Sequence, residues 1–330
     1  MILISGFISF RNLPAPDIAS DNPLTIQGVK LGRMLFHEDM LSKDGSQNCS
    51  SCHLQEFAFS DTARFSIGVE KMRGGRQAMA VFNMSWNTNQ FFWDGRSDLV
   101  RDQSLKPIQD PLEMNETLEN VVAKLSDSKM YRDQFSRTFG SDEITSEKMS
   151  LAMEQFMNSI VSYNSKYDQH LAGTATLTDS EERGRKLFFT EFNPFFPDQA
   201  GADCAHCPDG DNFENDQYMN NGLDADADFT DKGREDATEK PEDRAKFKVP
   251  SLRNIEMTPP YMHDGRFNTL EEVVDHYNEG IKSSSTVDPA ILNTVDGLKL
   301  TAEDKTDLVN FLKTMTDNDL LTNPEYASPF

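Results

Sequence analysis

Apolar positions along the chain recur at the spacing of helices. Residues 27–37 place Val29, Leu31, Met34 and Leu35 near one helical face, and residues 146–163 continue the pattern with Met149, Met153, Phe156, Met157, Ile160 and Val161. A third run, Leu308, Val309, Phe311, Leu312 and Met315, follows Thr301 and Asp304. That pair reads as a capping box, in which hydroxyl and carboxylate each satisfy an unpaired backbone N–H at a helix start. No sustained alternation of period two occurs, so the pattern predicts a mainly α-helical chain without a substantial sheet. Small and Thr-rich positions at 173–179 interrupt the helices and mark the expected join between two parts.

The two parts repeat one another. Gly32-Arg33-Met34-Leu35-Phe36 is echoed by Gly184-Arg185-Lys186-Leu187-Phe188, and Trp93-Asp94-Gly95-Arg96 by His263-Asp264-Gly265-Arg266. Between these lie two CxxC pairs, Cys49/Cys52 and Cys204/Cys207. Echoes in one order at similar offsets indicate a duplicated unit of roughly 150 to 170 residues. One domain is therefore expected over residues 22–172 and a second over residues 178–320, each long enough to bury a core.

Charge narrows the partners. The 32 basic and 55 acidic side chains leave a net charge of −23. Such a surface repels nucleic acid and anionic membranes and favours a cationic partner, such as a basic electron-carrier protein, although a charge excess also serves solubility alone. Nine of the twenty residues at 224–243 are acidic, which reads as a solvated loop, with a cation site or docking surface as the sharper alternative. No stretch approaches the ~20 apolar residues of a membrane span. Residues 1–10 are apolar but short, with neither a basic start nor a cleavage site; they read as the stub of a signal peptide, not a complete one.

Cys49-Ser50-Ser51-Cys52-His53 is the attachment motif of c-type haem. Two thioether bonds need cysteines three apart on one turn, and the next residue must bring an imidazole to the iron. A zinc site or a disulfide pair is the alternative; zinc would need further ligands, and the other CxxC lies beyond a second copy of the unit. That copy departs from the motif: Cys204-Ala205-His206-Cys207 is followed by Pro208, which has no donor atom. His206 sits between the cysteines, where the turn points it away from an iron. A haem with unusual ligation, a CxxC without haem and a disulfide all stay open here.

With these motifs in hand, the chain resembles the bacterial di-haem cytochrome c peroxidases and their MauG-like relatives. The most specific pieces are Cys49–His53, Phe92-Trp93-Asp94-Gly95-Arg96 and Pro107-Ile108-Gln109-Asp110-Pro111-Leu112-Glu113-Met114. Two more are Phe247-Lys248-Val249-Pro250-Ser251-Leu252-Arg253-Asn254 and Pro260-Tyr261-Met262-His263-Asp264-Gly265-Arg266. The resemblance implies two tandem cytochrome-c-like domains. Hydrogen peroxide would react at the first haem, with electrons relayed through the second from a small donor protein, a cytochrome c or cupredoxin.

Residue by residue, the resemblance makes His53 the ligand of the first haem iron and puts Gln103, Pro107 and Glu113 in the distal pocket. A carboxylate there can carry a proton between the peroxide oxygens while an amide orients the molecule. Trp93 would conduct electrons between the haems, and Arg253 and His263 would lie near the second haem. Tyr277 stands where relatives carry an axial Met or Tyr, and so is expected on the second haem iron; adjacent His276 faces about 100° away on a helix. Gln77, Thr258 and Pro260 match a calcium site between the domains, with Gln77 in place of the usual asparagine. No histidine lies between His53 and His170, so the first haem should be active without prior reduction. The family also implies a periplasmic address and, often, a homodimer. Oxidation of a protein side chain, as in the MauG branch, is the alternative activity; a non-catalytic electron-transfer cytochrome and a degenerate second half are further rivals.

Overall fold

The computed structural model describes residues 13–193, 195, 200–207, 210–292, 294 and 297–330; the apolar start of the chain and Pro208 lie outside them. Helices α1 (Ile26–Phe36), α2 (Val100–Gln109), α3 (Leu118–Asp127), α4 (Lys129–Phe139) and α5 (Ser146–Ser159) build the first half. A short α6 (Lys166–Leu171) leads to α7 (Asp179–Phe189), followed by α8 (Glu235–Thr238), α9 (Leu270–Asp275), α10 (Pro289–Leu292), α11 (Ala302–Lys313) and α12 (Asn318–Thr322). Among the described residues the strands are two-residue pieces, β1 (Tyr218–Met219) and β2 (Phe247–Lys248), paired antiparallel. The mainly helical expectation holds.

Threonine starts most of the long helices. Thr25 accepts from the Gly28 amide at 3.0 Å, and Thr145 from that of Lys148 at 3.2 Å. At α11 the capping box forms as read, with Thr301 N–H donating to Asp304 at 2.9 Å and Asp304 N–H to Thr301 at 3.1 Å. Helix α5 stops at Ser159, short of the expected 163, because the chain beyond it is captured from outside. The Asn83 amide donates to Ile160 O at 2.9 Å, and Ser162 N–H donates to the Asn83 side chain at 2.8 Å.

The duplication read from sequence is a duplication of backbone. Helix α1 crosses α5 at Gly32, where an added Cβ would lie 1.9 Å from Ala152 O; α7 crosses α11 at Gly184, where it would lie 1.9 Å from Asp307 O. The Asp-Gly-Arg turns are closed by matching bridges, Phe91 with Ser97 and Tyr261 with Phe267. Asn83 and Asn254 are a third pair, both left-handed (φ 53° and 57°), a conformation asparagine tolerates better than most residues. Both side chains donate to fully buried Ser162, Asn83 to its carbonyl at 3.0 Å and Asn254 to its hydroxyl at 2.9 Å.

Packing, however, crosses between the halves. A buried cluster of Phe36, Phe59, Phe156 and Ile160 takes in Leu320 from α12, with Tyr326 packed against it. Conversely, Tyr167 of α6 belongs to the core built on Phe188, Phe213, Leu308 and Phe311. The acidic stretch needs a correction: Asp226, Asp228, Asp236 and Glu239 are exposed, but Asp224 and Asp231 are not a solvated run. Asp231 takes a two-pronged contact from Arg76 at 2.7 and 2.8 Å, and Asp224 one from Arg266 at 2.9 and 2.7 Å.

Candidate functional site

The first CxxC lies on a single 3₁₀ turn, Cys49–Ser51, and His53 N–H donates back to Cys49 O at 3.0 Å. Burial lowers the basicity of His53, so its imidazole is neutral near pH 7. Its Nδ1 lies 2.9 Å from Phe59 O. A carbonyl only accepts, so Nδ1 donates to Phe59 O, as a metal-ligating histidine does when its Nε2 takes the metal; the Met79 carbonyl is a second, weaker neighbour of the ring. Burial pushes the Cys49 thiol up to about 12 and the Cys52 thiol to about 11.

These groups open onto a cavity of about 470 Å³ lined by Cys52, His53, Trp93, Gln103, Pro107 and Glu113. A smaller one of about 50 Å³ beside it is lined by Cys49 and several of the same residues. Helix α2 aligns Gln103 and Pro107, four apart and so on one face. Gln103 Oε1 is buried and has no hydrogen-bond partner among the described residues, a state that buried polar atoms rarely keep unless a ligand completes it. Glu113 sits in the turn after α2, its N–H donating to Asp110 O at 3.0 Å. Burial, aided by the Asp110 charge and opposed by Arg96, pushes its carboxyl up to about 7. The pair of free thiols on one turn, the imidazole with Nδ1 on a carbonyl, the cavity and the orphaned amide oxygen together fit a c-type haem.

Trp93 connects this cavity to the second half. Its indole N–H donates to Gln77 O at 2.8 Å, and its carbonyl accepts from Lys248 N–H at 2.8 Å. Gln77, Thr258 and Pro260 line the same cavity; Gln77 Nε2 donates to Ser60 Oγ at 2.9 Å and Thr258 Oγ1 to Ile255 O at 3.3 Å. Arg253 also reaches the cavity, but its guanidinium is committed to Asp168 at 2.8 and 2.9 Å and to Asp211 O at 2.6 Å. His263 stacks flat on Phe247 with centroids 3.6 Å apart. Burial pushes its imidazole down to about 4.

At the second CxxC, Cys204–His206 forms the same kind of turn, His206 is exposed, and burial raises both thiols to about 12. Tyr277 sits in a π-helical turn, His276–Gly280, a local widening common at functional sites. Its phenol is pushed well up by burial and by the nearby Cys207 and Cys204. Asn221 Nδ2 donates to the Tyr277 hydroxyl at 3.3 Å and lies 3.3 Å from Met262 Sδ. His276 instead turns its Nε2 to Asn221 O at 3.0 Å. Sequence reading missed Phe59, whose contribution is a backbone carbonyl, and Asn83 and Asn254, for which the repeat itself was the available signal.

The model of the family described as di-haem cytochrome c peroxidase matches residues 26–176. Cytochrome c551 peroxidase of Nitrosomonas europaea is 33% identical over 98% of this chain and 89% of its own length. The methylamine utilization protein MauG of Methylorubrum extorquens is 32% identical over 89% of this chain and 79% of its own. A crystal structure of a MauG-like protein associated with microbial copper homeostasis superposes with a TM-score of 0.87 at 34% identity, covering 97% of each chain. Similarity of this extent over nearly the whole length settles the kinship: the chain belongs to the di-haem cytochrome c peroxidase family.

Proposed function

We propose that this protein reduces hydrogen peroxide in the cavity above His53, as a haem c peroxidase fed by a small electron-donor protein. The observation that carries this reading is the pairing, in one cavity, of an orphaned buried amide oxygen on Gln103 with a buried carboxyl on Glu113 titrating near 7. Haem c would be held by Cys49 and Cys52 with His53 as its iron ligand, and would supply the electron transfer to peroxide.

The chain's own residues do the rest. His53, oriented by Phe59 O, donates electron density from the proximal side. Gln103 holds the peroxide. Glu113 takes the proton from one oxygen and delivers it to the other, so that the departing oxygen leaves as water. Two electrons and two protons convert each peroxide into two waters. Trp93 is the path of those electrons from the second half, and the net charge of −23 suits a cationic donor.

We further propose that Cys204 and Cys207 hold the second haem with Tyr277 on its iron, since the buried phenol is near enough to both thiols for their charge to push it up. An anionic phenolate stabilises ferric iron and lowers its potential, which favours oxidation of a protein side chain as the second reading. Gln77, Thr258 and Pro260 are the proposed calcium donors, oxygen ligands of the kind that ion takes. A periplasmic location follows from covalent haem attachment, and among the described residues no helix is long and apolar enough to cross a membrane. Glu113→Gln tests the main reading. Peroxide turnover should fall by roughly 10²- to 10⁴-fold with haem content unchanged, and unchanged turnover would return the chain to the electron-transfer cytochromes.

A further inference from the structure

The last residues of the chain leave the second half and bind the turn that carries the first haem ligand. Gln55, two residues after His53, donates to Leu320 O at 3.0 Å and to Asn323 O at 2.8 Å. Tyr326 then lays its ring edge-on against Phe59, centroids 6.1 Å apart at 73°. Its hydroxyl donates to Ser159 O at 3.0 Å and accepts from Val161 N–H at 3.3 Å. His37 donates to Tyr326 O at 3.1 Å, and Arg33 to Pro324 O at 2.6 Å and Ala327 O at 2.7 Å.

What this strap presses on matters. Phe59 is fully buried and left-handed (φ 59°), a conformation unfavourable for an aromatic residue unless its surroundings enforce it. Its carbonyl is the one that accepts from His53 Nδ1 at 2.9 Å. The strength of that bond sets how much imidazolate character the histidine carries, and hence the potential of an iron on Nε2.

We infer that Tyr326 is a positioning residue for the first haem: it holds Phe59, through it the His53 hydrogen bond, and so keeps the haem potential low. The tail of one half thereby tunes the ligand of the other. This inference rests on the haem reading of the first site.

The test uses the full-length holoprotein with Tyr326→Ala and Tyr326→Phe. Resonance Raman spectra of the reduced protein read the iron–histidine stretch, and a redox titration reads the first haem's potential. Tyr326→Ala should lower the stretching frequency and raise the potential, with peroxide turnover down several-fold. Tyr326→Phe keeps the ring and should stay near wild type. An unshifted stretch and potential in a folded Tyr326→Ala protein overturns the inference and leaves the tail a mere strap. Should that variant fail to fold, Gln55→Ala decides: it loosens the same strap, and a shift in the same direction supports the inference while none overturns it. Failure of the haem reading is distinguishable, because wild-type protein would then lack covalent haem at Cys49 and Cys52 altogether.

Discussion

The two halves share a scaffold and differ in the atoms it presents. In both, a left-handed phenylalanine follows the CxxC turn, Phe59 (φ 59°) and Phe213 (φ 51°). Both carbonyls accept a backbone bond from the other side of the pocket, Phe59 O from Val81 at 3.2 Å and Phe213 O from Leu252 at 3.1 Å. Only Phe59 O also receives a histidine, because the residue after Cys207 is a proline. The backbone around the first CxxC thus recurs around the second, where the histidine does not. The scaffold is held by helix crossings and turns, whereas the chemistry hangs on single side chains that can change without disturbing it.

The sharpest way to break this comparison is to remove each cysteine pair in turn. Replacing Cys49 and Cys52 by serine should abolish peroxide turnover. Replacing Cys204 and Cys207 should slow turnover while peroxide still binds. Intact mass of the denatured proteins should fall by one haem in each case, and a wild-type mass with a single haem would assign the second CxxC to something other than haem.

A feature the halves do not share comes next. The Arg253–Asp168 pair is almost wholly buried, with side chains 2% and 3% exposed, and its first-half counterpart position, Phe82, is apolar. Arg253→Ala strands a buried carboxylate, which destabilises by about 3–5 kcal/mol, readable as a lowered denaturation midpoint. The glycine crossings are shared. Gly32→Ala and Gly184→Ala should each destabilise by about 1–3 kcal/mol, despite alanine's better helix propensity, because the added carbon meets backbone. Clearly unequal losses would show that the crossings are not equivalent.

A last effect is a pH dependence, which each half carries at a buried carboxyl: Glu214 in the second is also pushed up to about 7, and Glu113 is its counterpart in the first. The Glu113 carboxyl rises from 4.5 to about 7 on folding, so the folded state favours the protonated form. That contribution is full below pH 4.5, lost as pH rises through 7, and absent above. Glu113→Gln should therefore match wild type in thermal denaturation at acid pH and exceed it at pH 8. A difference independent of pH would mean that Glu113 is not held in a water-poor pocket.

Much of this was legible in the sequence. Cys49, Cys52 and His53 announce themselves because attachment chemistry fixes their spacing, and Gly32 with Gly184 because they open the two echoed segments, although the close crossing that they make is not itself legible there. Less legible was whatever depends on distant partners. The acidic stretch reads as solvated until Arg76 and Arg266 are found to grip Asp231 and Asp224. Helix α5 looks longer by its apolar pattern than Asn83 allows. Tyr167 and Tyr326 carry no periodic signal at all, since each packs on the half to which it does not belong by order in the chain.

Ser162, gripped by Asn83 from one side and Asn254 from the other, has a consequence for motion. Asn83 and Ser162 both belong to the first half, so a hinge between the halves would have to tear Asn254 from a fully buried residue and withdraw two crossed tails at once. Rotation of one half against the other therefore carries the cost of breaking buried contacts at each of these places. The spacing of the two CxxC turns is thus fixed by contacts that the chain makes as it folds, a segment from each half lying on the other.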